Sequence, residues 1–250
     1  MFQFFTRKIY LRDFLEGFVD IHCHILPGID DGASNIDESI ALLKRFASLG
    51  VKNFVATPHI MVDFYPNNEQ TIVGAYHTLE AQNLRTEVPG IIINLSAEYM
   101  IDNHFEELLE AEKLVPLKYR YVLVELSYLQ PPINLNEVIG KMRDKGYYVV
   151  LAHPERYTFY HQKKYNYTAL KQMGCFFQMN ILSLTDHYGR NIQKAAHWLL
   201  EEGMMDFIGS DTHKLYHLDR IESIKLDKKI APVVEQLIVN TNNSFSGFRL

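Results

Sequence analysis

The sequence predicts an α/β fold whose parallel strands close into a barrel or near-barrel, and three observations lead there. Short apolar runs alternate with runs of helical period along almost the whole chain. Seven of the short runs read as strands, and they are nearly continuously apolar, as strands covered by helices on both faces are. No Gly-rich phosphate fingerprint follows the first of them, which counts against an open dinucleotide-binding sheet.

The first strand runs through Val19, Asp20 and Ile21 into His22 and His24, and Pro27–Gly28 then turns the chain toward Asp30 and Asp31. Ser34 with Asp37 makes a capping-box-like start, and Ile36, Ile40, Leu43 and Ala47 recur at helical spacing until Gly50 stops the helix. NFVAT is the second strand, ending at Pro58–His59, and a loop with Tyr65–Pro66–Asn67 precedes a helix over residues 69–85. IIINLSAEY is the third strand, ending near Glu98, and HFEELLEAEK is a short helix. RYVLVELS is the fourth strand, carrying Glu125, and Asn134 or Asn136 caps a helix that reaches Lys145–Gly146. YYVVLAHPER is the fifth strand, ending at His153, with a helix to about Met173 behind it. CFFQMN is the sixth strand, residues 186–202 are helical, and MDFIGSDTH is the seventh strand, ending at Asp211 and His213. One or two helices close the chain. The expected organisation is an extension over 1–17, read as a short helix packed on the domain, one barrel domain over 18–240 and a polar tail over 241–250.

In barrels of parallel strands the active site lies at the C-terminal strand ends. His22 and His24 are two apart on a strand, so both imidazoles face one side. Six of the seven strand ends carry His, Asp or Glu, and Asp31 from the first loop completes a set of nine: His22, His24, Asp31, His59, Glu98, Glu125, His153, Asp211 and His213. Imidazoles mixed with carboxylates suit Zn, Mn or Fe better than Ca or Mg. With three divalent cations the four carboxylates would leave a net charge of about +2, which a phosphate dianion balances. Phosphoester hydrolysis is the chemistry this arrangement suits.

Other classes are excluded by composition. A net charge of −5 with no block of Lys or Arg gives no support for a nucleic-acid partner. No run of about 18 apolar residues exists, so no membrane insertion is expected. Cys23 and Cys175 are too few for a disulfide framework and fit a reducing cytoplasm. Neither heads the C-x5-R loop of cysteine-dependent phosphatases, because Ile29 and Ile181 stand six residues on.

The blocks DIHCHILPGIDDGA, ATPHI, SAEY, VELSY, AHPERY, QMN and GSDTH, spread over residues 19–213, resemble the polymerase-and-histidinol-phosphatase (PHP) superfamily. More narrowly, they resemble the manganese-dependent tyrosine phosphatases encoded with bacterial capsule and exopolysaccharide genes. The resemblance implies a distorted seven-stranded TIM-like barrel, three metals (Mn2+, with Fe or Zn as alternatives) at positions matching the same nine residues, and phosphotyrosine hydrolysis by a metal-bridging hydroxide. It implies that Arg156, shortly after the fifth-strand histidine, holds the phosphate. A second family arginine is matched only loosely, by Arg220, with Lys214 as a substitute. The implied partner is a bacterial tyrosine kinase with a tyrosine-rich tail controlling polysaccharide export; the chain can be a monomer or an oligomer. Two rivals stand beside this reading: a small-molecule phosphatase of the same superfamily, such as one for histidinol phosphate, and a non-catalytic metal-binding regulatory module.

Overall fold

A computed structural model describes residues 8–247. The fold is mixed α/β, with a curled parallel sheet wrapped by helices. In chain order the strands are β1 (Ile9–Tyr10), β2 (Val19–Asp20), β3 (Asn53–Ala56), β4 (His59–Ile60), β5 (Ile92–Leu95), β6 (Glu98–Met100), β7 (Tyr121–Glu125), β8 (Tyr148–Ala152), β9 (Phe176–Asn180), β10 (Phe207–Gly209) and β11 (Lys225–Leu226). The helices are α1 (Ile36–Ser48), α2 (Glu69–Glu80), α3 (Leu84–Glu87), α4 (Asn103–Glu110), α5 (Leu135–Asp144), α6 (Tyr165–Gln172), α7 (Arg190–Glu201), α8 (Leu215–Ser223) and α9 (Ala231–Phe245).

The parallel strands fall into a six-stranded sheet, β10-β9-β8-β7-β6-β4, and a three-stranded sheet, β2-β3-β5. Two of the runs expected as single strands are therefore each split, one between β3 and β4 and one between β5 and β6. The first break falls at Thr57–Pro58, where proline has no N–H to donate and the Thr57 N–H turns to the Cys23 carbonyl (3.0 Å). Bonds from Ser96 N to Ala56 O (2.9 Å) and from Glu98 N to Pro58 O (3.0 Å) carry the pairing across both breaks. At the far edge the segment after β10 closes onto the segment after β2: the Asp211 N–H donates to His22 O (2.7 Å) and the His24 N–H to Thr212 O (3.0 Å). Buried Asp20 reinforces that seam by accepting from Ser210 N (2.9 Å) and Ser210 Oγ (2.5 Å). The C-terminal strand ends thus converge on one side of the sheet.

Several element boundaries differ from the sequence reading, each for a local reason. Helix α1 is capped by Asn35, whose Oδ1 accepts from the Glu38 N–H (3.0 Å); the Ser34 N–H instead donates to the Glu38 carboxylate (2.9 Å). The helix expected over 69–85 breaks after α2, because Asn83 enters the left-handed region (φ 54°) and α3 restarts beyond it. Asn134 does stand at the start of α5, but its amide donates to Glu106 (2.7 Å) rather than capping the helix.

Part of the expected extension, residues 1–7, lies outside the described residues. The remainder is no simple helix: β1 pairs antiparallel with β11, and Leu11–Phe14 make a single tight turn. Leu11 and Leu15 are buried, and the Leu11 N–H donates to Ile224 O (3.0 Å), so this segment belongs to the core. The polar tail expected from residue 241 starts later, since α9 continues to Phe245, whose ring packs edge-on to Tyr121 and Phe207. No helix among the described residues is long and apolar enough to cross a membrane.

Candidate metal centre

Nine side chains meet where the strand ends converge. The loop after β2 folds back on itself, with the Gly28 N–H donating to Ala33 O (2.7 Å) and the Ala33 N–H to His24 O (3.1 Å). That return brings Asp31 Oδ1 within 3.3 Å of His213 Nε2 and 3.5 Å of His59 Nε2. Donor atoms of His24, Asp31, His59 and His213 lie mutually within 4.8 Å, as do those of His22, His24, Glu98 and Asp211, and those of His59, Glu98 and Glu125. His153 joins through Nε2, 3.0 Å from Glu98 Oε1. His153 and Asp211 both hold left-handed backbone (φ 32° and 50°), a conformation that costs non-glycine residues about 1–2 kcal/mol and clusters at functional sites.

The donor set fits metal ions. His22 Nε2, His24 Nε2, His59 Nδ1, Glu98 Oε2 and Glu125 Oε1 are all buried and without a hydrogen-bond partner among the described residues. Buried polar atoms are normally satisfied, so five such atoms facing one another fit a cationic partner. The opposite ring atoms are fixed: His22 Nδ1 lies 2.7 Å from Gln178 Oε1, and His24 Nδ1–H donates to Asp30 Oδ2 (2.8 Å). Such bonds select the tautomer that leaves each Nε2 lone pair turned inward. Burial opposes a charge on His22, yet Glu98 and Asp211 outweigh it and push its pKa up to about 9. Burial would likewise raise Asp211, but His22 and the other histidines hold it well below the usual carboxylate range. Burial and Arg156 together push His153 down to about 4, leaving it a neutral donor. The buried carboxylates of the centre therefore favour positive charge, the same pull that raises His22 and that a metal cation would satisfy.

Arg156 reaches this centre from the turn after β8. Its Nη1 donates to Asp211 Oδ2 (2.7 Å), and its guanidinium lies 4.8 Å over the Tyr128 ring and 4.3 Å over the Tyr188 ring. Arg220 is placed differently. It is exposed on α8, makes no ion pair among the described residues, and is felt at His187, whose pKa falls through burial and the charges of Arg220 and Arg156. Lys214 is engaged elsewhere, donating to Gly32 O (2.7 Å). So Arg156 stands inside the cluster, and Arg220 makes no hydrogen bond or ion pair with any of its nine residues.

Several contributing residues were not singled out from sequence. Asp30 orients His24, and Gln178 orients His22. Asn180 donates to Asp211 Oδ2 (2.7 Å), and Tyr128 and Tyr188 flank Arg156. Gln178 and Asn180 did leave a signal: two polar residues, two apart, in the otherwise apolar run CFFQMN. Replacing Asp30 with Ala should weaken metal binding by about 10–100-fold, the usual effect of losing a partner that orients a ligand; competition against a chromogenic chelator measures it. Gly32 has no room for a side chain, because a Cβ there would collide with the His24 carbonyl and crowd Asp30 Oδ1. Gly32→Ala should cost about 1–3 kcal/mol of stability by overpacking, read from denaturant unfolding, and should weaken metal binding in the same chelator assay.

A parallel α/β scaffold with a buried His/carboxylate cluster at its strand ends is the arrangement of metal-dependent hydrolases. Residues 18–234 match the family described as "Capsular polysaccharide synthesis, CpsB/CapC", and the chain belongs to that family. It is similar to a putative tyrosine-protein phosphatase CapC of Staphylococcus aureus (28% identity, covering 88% of this chain and 86% of the relative). It is also similar to the tyrosine-protein phosphatase CpsB of Streptococcus pneumoniae (29% identity, covering 79% and 83%). Among solved structures it resembles one from work on YwqE of Bacillus subtilis and CpsB of Streptococcus pneumoniae, described as metal-dependent tyrosine phosphatases. The TM-score is 0.73 at 26% identity, over 89% of this chain and 94% of the other. An amidohydrolase from Mycoplasma synoviae shares the fold at 15% identity and a TM-score of 0.56.

Proposed function

We propose that this chain is a metal-dependent protein-tyrosine phosphatase, acting in the cytoplasm on a tyrosine kinase of capsule or exopolysaccharide synthesis. In this reading three divalent cations, Mn2+ foremost, would be held by His22, His24, Asp31, His59, Glu98, Glu125, His153, Asp211 and His213. The barrel is then counted as seven strands, with β3 and β4 as one and β5 and β6 as another. The observation that carries the reading is the set of buried, unpartnered donor atoms on His22, His24, His59, Glu98 and Glu125, in a member of a family whose relatives are named tyrosine phosphatases. When bound, such cations supply a water activated at neutral pH and neutralise phosphate oxygens.

The chain's own groups do the rest. Arg156 offers a planar fork to the phosphate and binds it, while Asp211 and the two tyrosine rings fix the guanidinium in place. In this reading Arg220 would be a second, outer contact for the anion. Cys23 is buried in the segment after β2, where burial and nearby carboxylates keep its thiol well above the usual range. It is no nucleophile, so hydrolysis proceeds without a phosphocysteine. A phenol (pKa about 10) leaves with less need of protonation than an alkyl alcohol, which favours aryl phosphates.

The test is phosphate release by metal-stripped protein, with and without added Mn2+, from a phosphotyrosine peptide and from histidinol phosphate. Mn2+-dependent release from the peptide is expected. Release from histidinol phosphate alone would replace this function with that of a small-molecule phosphatase.

A further inference from the structure

We infer that the groove beside the metal centre, between the segments that follow β4, β6 and β7, binds the polypeptide flanking the phosphotyrosine and favours aliphatic and basic neighbours. This rests on the phosphatase reading above. The groove encloses about 710 Å3 and is lined by Val62, Asp63, Asp102, Glu106, Leu129 and Ile133, with Pro131 and Pro132 between the last two.

Three features identify its occupant. The first is apolar surface: Leu129 is 88% exposed, Ile133 is fully exposed and Val62 stands out nearby. A cluster of exposed aliphatic side chains around a groove marks an interaction site more than scattered ones do. Pro131 and Pro132 restrict the loop that presents them, which reduces the entropy lost when a ligand orders it.

The second feature is charge. No Lys or Arg lines the groove. Glu106 has Lys141 at 3.4 Å, but Asp63 and Asp102 make no ion pair among the described residues. Asp102 accepts only backbone N–H groups, from Phe105 (2.8 Å) and Val62 (3.2 Å). The groove therefore keeps negative charge that attracts a basic side chain and repels an acidic one.

The third feature is continuity with the catalytic centre. Ile101 also lines the groove, and its N–H donates to the carbonyl of Glu125 (3.0 Å), so the lining is tied to a candidate ligand. Leu129 directly follows Tyr128, whose ring underlies Arg156. A phosphotyrosine anchored at Arg156 would therefore lay its neighbouring residues along this groove.

The experiment compares kcat/KM of the Mn2+-loaded protein on three phosphotyrosine peptides, flanked by Leu and Arg, by Ala, or by Glu, with p-nitrophenyl phosphate as a substrate lacking flanks. The wild type should prefer the Leu/Arg peptide over the Glu peptide by about tenfold or more. The triple variant Asp63→Asn, Leu129→Ser, Ile133→Ser should reduce that spread to about twofold, while turning over p-nitrophenyl phosphate at the wild-type rate, which also shows that it folds. Equal rates on all peptides in the wild type, or an undiminished spread in the variant, would overturn the groove assignment and leave the phosphatase reading standing. No turnover of any aryl phosphate by the loaded wild type would overturn the phosphatase reading and this inference with it.

Discussion

Glu98→Gln should empty much of the metal centre and lower phosphotyrosine turnover by at least about a thousandfold, on the order of 4 kcal/mol of barrier. Glu98 is fully buried, and its two oxygens face four histidines. Oε2 lies 3.0 Å from His22 Nε2, 3.5 Å from His24 Nε2 and 3.2 Å from His59 Nδ1, while Oε1 lies 3.0 Å from His153 Nε2. It is also common to two of the three donor groups. A carboxylate in that position would be shared between donor groups, and its charge would offset that of bound cations at a point buried from water. Glutamine keeps the volume but removes the charge and turns one acceptor into an N–H2 that points at imidazole nitrogens. Elemental analysis of metal per chain, with circular dichroism to show the fold intact, gives the result. A variant that retains its full metal complement and near-normal turnover would reduce Glu98 to a structural acid.

How the strand ends converge was legible in the sequence because each unit places its polar residue at the same point of its apolar run. His22, His59, Glu98, Glu125, His153 and Asp211 all end such runs, and repetition turned individually ordinary residues into a set. The breaks between β3 and β4 and between β5 and β6 were not read from the sequence, although Pro58 marks the first; nothing comparable stands at Ser96–Ala97. At the first break the Thr57 N–H also changes partner to the Cys23 carbonyl, which depends on a segment arriving from elsewhere in the chain. The same limit applies to the groups that orient the ligands. Gln178 lies 156 positions from His22, and only the closed fold sets one beside the other. Asp30 and Asp31 are adjacent and chemically alike, yet Asp30 turns inward to His24 and Asp31 outward to His59 and His213. That division follows from the turn at Gly28 and the close packing at Gly32, and neither is visible in composition or spacing.

Arg156→Ala should leave the metal content unchanged and still lower kcat/KM on phosphotyrosine by about 100–1,000-fold, the range for losing one charge-stabilising donor. The separation of the two effects follows from the surroundings of Asp211. Its Oδ2 accepts from both Arg156 Nη1 (2.7 Å) and Asn180 Nδ2 (2.7 Å), so the carboxylate stays oriented when the arginine is gone. Its Oδ1 faces His22 and His24 at 3.4 and 3.3 Å and is not touched by the substitution. Arg156→Lys should recover only part of the loss, because an ammonium cannot make the two-pronged contact or stack between Tyr128 and Tyr188 as a guanidinium does. Metal analysis and steady-state kinetics on the three proteins separate the possibilities. If the Ala variant loses metal in step with activity, Arg156 acts by holding Asp211 and not by binding phosphate. If it keeps its metal and loses only turnover, the guanidinium is the phosphate's own contact, and the rings of Tyr128 and Tyr188 are what keep it aimed at the centre.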